Sequence, residues 1–575
     1  MALHPKHSKQ EDGHSDGDEP YFNLGVYTRP ISTQHPDAQK WFDRGLVWNY
    51  GFNHEESVKC FERAAAADPA CAIAYWGMAY SLGPNYNKPW GVFDEGERER
   101  IVRKANAALA KARDLASSSP AAVAPVERAL VDALQHRYPH QHTPESQGLT
   151  LSQDYARAME VVYRAHPADL DVMALYVDAL MNLTPWALWD LRTGEPAENS
   201  RALEAKRILE QGLATHPRHP GLLHLYIHLL EQSAHPERAL LAADNLRGLV
   251  PDAGHLNHMP THIDIIVGDY RRAVASNSAA VIADRKFVAR EGPMNFYSLY
   301  RCHNIHFRIY AAMFAGQLKV AMESADMLET TMPESLLRIT SPPMADWLEG
   351  FLAMRVHILI RFGRWQEIID LALPADRELY CTTTAMTHYA KGVALAATGD
   401  IPAAEHQREL FHAAAAKVPS SRTVFNNTCV DLLPIASAML DGELEYRKGN
   451  YDLAFSQLRA AIARDDALPY DEPWGWMQPT RHAYGALLLE QGRVEEAVEV
   501  YSADLGFDDT LPRALQHRNN VWALHGYYEC LVKLGRAAEA RIVKPVLELA
   551  VAGADVPIKA SCFCRRGSRD YSTKM

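Results

Sequence analysis

Several things are scarce in this sequence, and each scarcity excludes something. Cysteine comes first, with 8 scattered among 575 residues. So few cannot build a disulfide framework, and the default compartment is a reducing one, most simply the cytosol. Basic excess is missing as well. Lys and Arg total 59 against 71 Asp and Glu, a net charge of −12. A chain of this balance has no surplus cations to neutralise phosphates, so nucleic acid is not an expected partner. No apolar run approaches the roughly 18 residues of a membrane span, so no membrane contact is expected. The stretch from Met1 to Glu19 is polar and rich in His and Asp, unlike a signal peptide. Alternation of β-branched and polar residues is rare, which argues against sheet. There is no Gly-x-Ser-x-Gly, no Walker loop and no dinucleotide fingerprint, and no Cys stands in a nucleophile context.

Helical text fills the chain instead. From Trp41 onward it is Ala, Leu, Glu and Arg, punctuated by Gly or Pro every fifteen or so residues. Residues 1–38 read as a disordered tail and 556–575 as a second tail, in which Cys562 and Cys564 are solvent-exposed. Between them, 39–555 reads as a repeat array, with insertions near 88–150 and 184–200. His is abundant: 26 residues, roughly twice ordinary usage. Several lie in loop-like text, such as His136, His140 and His142. The densest segments are His224-Leu-Tyr-Ile-His228-Leu-Leu-Glu231, His255-Leu-Asn-His258-Met-Pro-Thr-His262 and His303-Asn-Ile-His306. Spacings of i, i+3, i+4 and i+7 put each set on one helix face.

The internal repeat settles the architecture. Trp41, Gly45, Phe61, Ala64 and Pro69 fall on one register. It returns at Gly392 and Ala404, at Gly442, Ala454, Leu458 and Ala461, at Gly485, Ala497 and Tyr501, and at Trp522, Gly526 and Ala538. This pattern resembles the tetratricopeptide repeat, whose positions 4, 8, 20, 24, 27 and 32 hold those residue types. More closely, the chain resembles a largely uncharacterised group of such proteins from bacteria and fungi. The carrying segments are Gly51 to Glu56, Ala74 to Gly77, Gly83 to Asn87, Leu183 to Trp186, His224 to Glu231, His255 to Ile263 and Asn304 to Gly316. They span most of 40–540. The resemblance implies an all-α solenoid of antiparallel helix pairs, coiled into a right-handed superhelix, and brings no established reaction.

The resemblance also implies that repeat positions 2, 5, 9, 12 and 13 face the concave groove. With Ala239 at position 20, His224, His228 and Glu231 take positions 5, 9 and 12. With Ala273 at 20, His255, His258 and His262 take 2, 5 and 9. With Ala321 at 20, His303 and His306 take 2 and 5. Three consecutive first helices, packed about 8–10 Å apart, then aim eight donors into one groove. Neutral imidazole suits Zn, Cu, Fe and Ni. Copper or iron is favoured, with zinc as the alternative, in a mononuclear or dinuclear site. The leading expectation is a metal-dependent oxidase or oxygenase acting on a small organic molecule; a hydrolase using Zn-bound water, with Glu231 as general base, is the other enzymatic reading, and Glu231 is equally a candidate ligand or a partner that orients the histidines. Asn85, Asn87, Trp186, Tyr226 and His482 are the candidate substrate contacts, with Asp471, Glu472, Trp474 and Trp476 at the opening. Each has a plainer reading as a helix cap or packing residue. Two other functions share the groove: an adaptor binding a peptide or protein without metal, and metal storage.

Overall fold

The computed structural model describes residues 21–139 and 145–566. The N-terminal His4, His7 and His14, the loop residues His140 and His142, and the last nine residues lie outside the described part. The chain is an all-α solenoid of antiparallel helix pairs of tetratricopeptide type. Among the described residues, strand is confined to a two-residue hairpin, Thr423–Val424 with Asn427–Thr428. No described helix is long and apolar enough to cross a membrane.

Steric fit explains the repeat register. A Cβ on Gly45 would lie 2.8 Å from the Phe61 ring, one on Gly442 2.7 Å from Leu458, and one on Gly485 2.6 Å from Tyr501. Position 8 must therefore be small where position 24 is large, because the two helices of a pair cross there. The 88–150 insertion is itself helical. Its Glu95–Ser118 helix is capped by Asp94 and packs on the Ala72–Leu82 helix. The 184–200 segment is irregular, closed by a Trp189–Pro196 bridge and by Trp189 Nε1 donating to the Leu229 carbonyl at 2.6 Å.

Both tail boundaries need correction. Residues 21–35 were expected to be tail, yet they strap across the first hairpins. Phe22 is buried against Trp48 and Phe287, and the Arg29 guanidinium pairs with Asp169 and Asp171 at 2.6 and 2.7 Å. At the other end, Ile558 and Ala560 are buried, and Arg565 forks onto Glu529. Cys562 and Cys564 are buried and disulfide-bonded to each other rather than exposed. Sparse apolar residues concealed both straps. Each buries only a few large groups and relies on ion pairs to hold the rest.

Two apolar cores fill most of the solenoid. One runs from Phe22 to Tyr300, the other from Ile265 to Ile558. Their seam falls on the helices that carry the histidines. Coiling brings the 423–428 hairpin and the 470–478 loop, from later repeats, onto that same seam.

Candidate metal centre

Three stretches of helix build the site. The first, Pro220–Glu231, starts on a proline and is capped by His219. It is buried on every side, and at Gly221 it closes on the Tyr50 ring. The second is broken. Gly254–His258 and Pro260–Val267 join at Met259, because Pro260 has no N–H to continue the ladder. Gly268, with φ of 83°, ends it in the left-handed region that glycine tolerates. The third, Ser298–Phe314, carries His303 and His306.

All seven histidines and Glu231 are at most 3% exposed. Six of them form two adjoining triads, His224/His228/His255 and His258/His262/His303. Within each triad, one nitrogen per residue lies within 4.8 Å of the others. The triads touch: the His255 and His258 rings are 5.6 Å apart, and those of His228 and His262 are 5.2 Å apart.

The outer nitrogens are anchored. His224 Nδ1 reaches the Tyr50 carbonyl at 2.5 Å, His228 Nδ1 reaches Glu231 Oε1 at 2.9 Å, and His258 Nδ1 reaches Asn277 Oδ1 at 2.7 Å. His262 Nδ1 lies 2.5 Å from Glu231 Oε2 and 2.9 Å from Glu472 Oε2. The Tyr50 carbonyl and Asn277 Oδ1 can only accept, so His224 and His258 carry their proton on Nδ1 and keep Nε2 as a lone-pair donor, which is how metal-binding imidazoles are oriented. The Nε2 atoms of His224 and His228, both nitrogens of His255 and Nδ1 of His303 have no hydrogen-bond partner among the described residues. His258 and His262 point Nε2 at Nε2, 2.8 Å apart.

Burial sets the charge state. It depresses His228 and His258 to about 3, and holds His224, His255, His262 and His303 well below the usual imidazole range. All six are therefore neutral and ready to ligate at pH 7. Burial, then the charge of Asp471, pushes Glu231 up, and burial, then Glu231, pushes Glu472 up. Asp471 rises to about 7, again chiefly by burial. A pair of cations in the triads would reverse this, and the carboxylates would then balance charge behind the ligands.

Several expectations change. Glu231 was weighed as general base, ligand or orienting partner; its Oε1 contacts His228 Nδ1 and its Oε2 contacts His262 Nδ1, and these three residues form a third close donor group. His306 does not join the cluster. Its Nε2 turns to Met477 Sδ at 2.8 Å, because three residues on from His303 the helix has rotated it towards Phe351. Tyr226 points away, its hydroxyl donating to Glu210 at 3.0 Å. His482 belongs to another buried network, between Asp504 at 2.9 Å and Arg361 at 2.8 Å. Trp186 does wall the site, 5.8 Å from the His228 ring. Asn85 is buried at the turn, accepting from the N–H groups of Asn87 and Lys88, and Asn87 faces the Tyr300 hydroxyl. Of the residues expected at the opening, Glu472 reaches His262.

Three contributors escaped the sequence reading. Phe52 covers the first triad, its ring 4.4 Å from that of His224 and 5.6 Å from that of His255. Tyr86 packs 5.1 Å from His228. Asn277 had a readable signal: it is polar at position 24 of its repeat, where Phe61 and Tyr501 stand in others. A cleft of about 550 Å³, lined by Phe52, His54, Asn85, Lys88, Phe93 and Phe296, opens on the far side of Phe52.

No family model matches this chain, and no curated protein matches it. Some solved structures are similar. The human IFIT1 dimer with m7Gppp-AAAA shares 12% identity over 90% of this chain and 91% of its own, with a TM-score of 0.31. Yeast Tom70 shares 12% over 90% and 99%, at 0.29, and the P58(IPK) TPR domain 12% over 81% and 99%, at 0.22. Likenesses of this size carry no argument about what this chain binds.

Proposed function

We propose that His224, His228 and His255 hold one transition-metal ion, that His258, His262 and His303 hold a second, and that the pair serves an oxidoreductase acting on a small organic molecule. One observation carries this reading: two touching triads of buried, neutral imidazoles, four of them anchored through Nδ1, with five ring nitrogens that lack hydrogen-bond partners among the described residues. Donors that are all imidazole exclude Ca and Mg, which need oxygen ligands. Non-haem iron ordinarily adds a carboxylate to two histidines; the overlapping group His228, Glu231 and His262 has that composition, whereas the two triads are all imidazole, and on the triads copper ranks first. Two copper ions held side by side would supply two one-electron couples, enough for an organic substrate losing two electrons and two protons to reduce dioxygen to hydrogen peroxide.

The protein's own groups have separate tasks. Tyr50, Glu231, Glu472 and Asn277 aim the imidazoles. Phe52, Tyr86, Trp186, Phe307 and Phe425 keep bulk water from them. The cleft beside Phe52 is the approach for substrate, with Asn85 on its wall. A metal-free adaptor is the weaker reading, because a peptide in the groove cannot reach side chains that are at most 3% exposed. The same burial disfavours storage, which needs easy release.

The test is metal analysis of the chain with His4, His7 and His14 replaced, beside His224→Ala and His303→Ala variants. Two equivalents of one metal are expected, falling to about one in each variant while helicity persists. No uptake of Cu, Fe or Zn after reconstitution overturns the proposal.

A further inference from the structure

His306 was read as part of the histidine cluster, and the structure gives it different company. Its Nε2 lies 2.8 Å from the thioether sulfur of Met477, and both side chains are buried. Met477 comes from the 470–478 loop, 171 residues further along the chain. Beside them stands His357, on the Met354–Arg361 helix, also buried, its backbone carbonyl accepting from Gln478 Nε2 at 3.2 Å, one residue on from Met477. Trp476 packs on His357 at 4.8 Å between ring centres, and Phe351 on His306 at 5.1 Å. The Nδ1 atoms of both histidines lack hydrogen-bond partners among the described residues.

Ordinary packing accounts for little of this. A thioether is a weak acceptor, so a hydrogen bond to sulfur is a poor return for burying an imidazole. Two unpartnered ring nitrogens in one apolar pocket add to that cost. No carboxylate acts on either ring, in contrast to His228 and His262 a short way off. The donor set is therefore uncharged and includes a soft sulfur. Soft thioether and thiolate ligands select Cu(I), whereas Zn(II) and Fe(II) centres favour charged or harder partners.

We propose that His306 Nε2 and Met477 Sδ, with His357 as third donor, form a separate binding site for Cu(I). It lies one helical turn from His303, so an ion held there sits next to the triads without sharing a ligand with them. No reaction is assigned to it. The site stands on its own contacts and would survive the failure of the paired-metal proposal.

The experiment uses the full chain labelled with ¹³C in its methionine methyl groups, 17 in all, and Ag(I) as a redox-silent substitute for Cu(I). Met477→Leu assigns the Met477 resonance by its loss, with Met477→Ile as a second assignment should the first not fold. Addition of Ag(I) is expected to shift that resonance. The shift should disappear in His306→Leu and persist in the His224→Ala/His258→Ala chain. A Met477 methyl that stays fixed while the protein takes up Ag(I) elsewhere overturns the proposal. So does a shift that is undiminished in His306→Leu.

Discussion

Asn277→Leu isolates what the outer anchors contribute. Asn277 is fully buried on the Tyr270–Glu291 helix, and its one contact with the candidate centre is Oδ1 on His258 Nδ1 at 2.7 Å. Leucine has the same number and branching of heavy atoms, a larger volume and no acceptor. Without metal, the substitution leaves the buried imidazole N–H with only the Thr261 hydroxyl, 3.3 Å away, a loss of about 1 kcal/mol. With metal, the ring loses the partner that fixes its tautomer, and such losses weaken affinity by about 10–100-fold, or roughly 1.4–2.7 kcal/mol. The loss should fall on the ion held by His258, His262 and His303. The other triad hangs from Tyr50 and Glu231, which Asn277 does not touch. Competition with a chelator, following both equivalents separately, reads the difference, and Asn277→Asp, which keeps an acceptor, should retain the affinity. Equal weakening of both ions, or affinity unchanged within twofold in Asn277→Leu, would refute the argument that Nδ1 anchoring tunes the second triad.

Two more outcomes follow from the same geometry. Phe52→Ala removes the ring between the 550 Å³ cleft and the first triad, so chelator-driven metal loss should speed up several-fold, beside a stability cost of about 3–5 kcal/mol; an unchanged rate would place the entrance elsewhere. The metal-free protein should be acid-labile. His228, His258, His306 and His357 sit at about 3 when folded, against about 6.5 when unfolded. The unfolded chain therefore takes up protons first, and stability that is complete above pH 6.5 drains away between 6.5 and 3, by about 2 kcal/mol per imidazole at pH 5. Denaturant midpoints at pH 7.5 and pH 5 that coincide would show these rings to be solvated.

Much of this was legible in the residue order, and the illegible part has physical causes. Gly45, Phe61 and their phased equivalents carry the hairpin geometry, because helix crossing is a local steric matter. The same phase placed His224, His228, His255, His258, His262 and His303 on one surface, since helical periodicity needs no tertiary knowledge. It failed at His306. Groove position 5 gives a direction along one helix, but which neighbour lies there depends on how far the superhelix closes, and Met477 arrives from four repeats later. His482 failed for the same reason: it shares the phase and belongs to a distant turn, where Asp504 and Arg361 claim it. Glu231 was found but its task was left open, because spacing says which face a carboxylate shares and not which nitrogen of a histidine it meets.

What would be gained by burying this cluster without an ion decides between the competing readings. Five ring nitrogens of the two triads have no partner among the described residues. Each unpaired buried polar atom costs about 1–3 kcal/mol, so together they set about 5–15 kcal/mol against folding, a sum as large as the net stability of a typical domain. A groove evolved to hold a peptide would keep such groups near water, where the cost vanishes, and a core evolved for stability would replace them with leucine. Here the six rings are enclosed by aromatic side chains and held neutral, and four of them, His224, His228, His258 and His262, are anchored through Nδ1 by Tyr50, Glu231, Asn277 and Glu472. Anchors of that kind orient lone pairs towards one another, and oriented, neutral imidazole lone pairs are the arrangement the proposed cations would use.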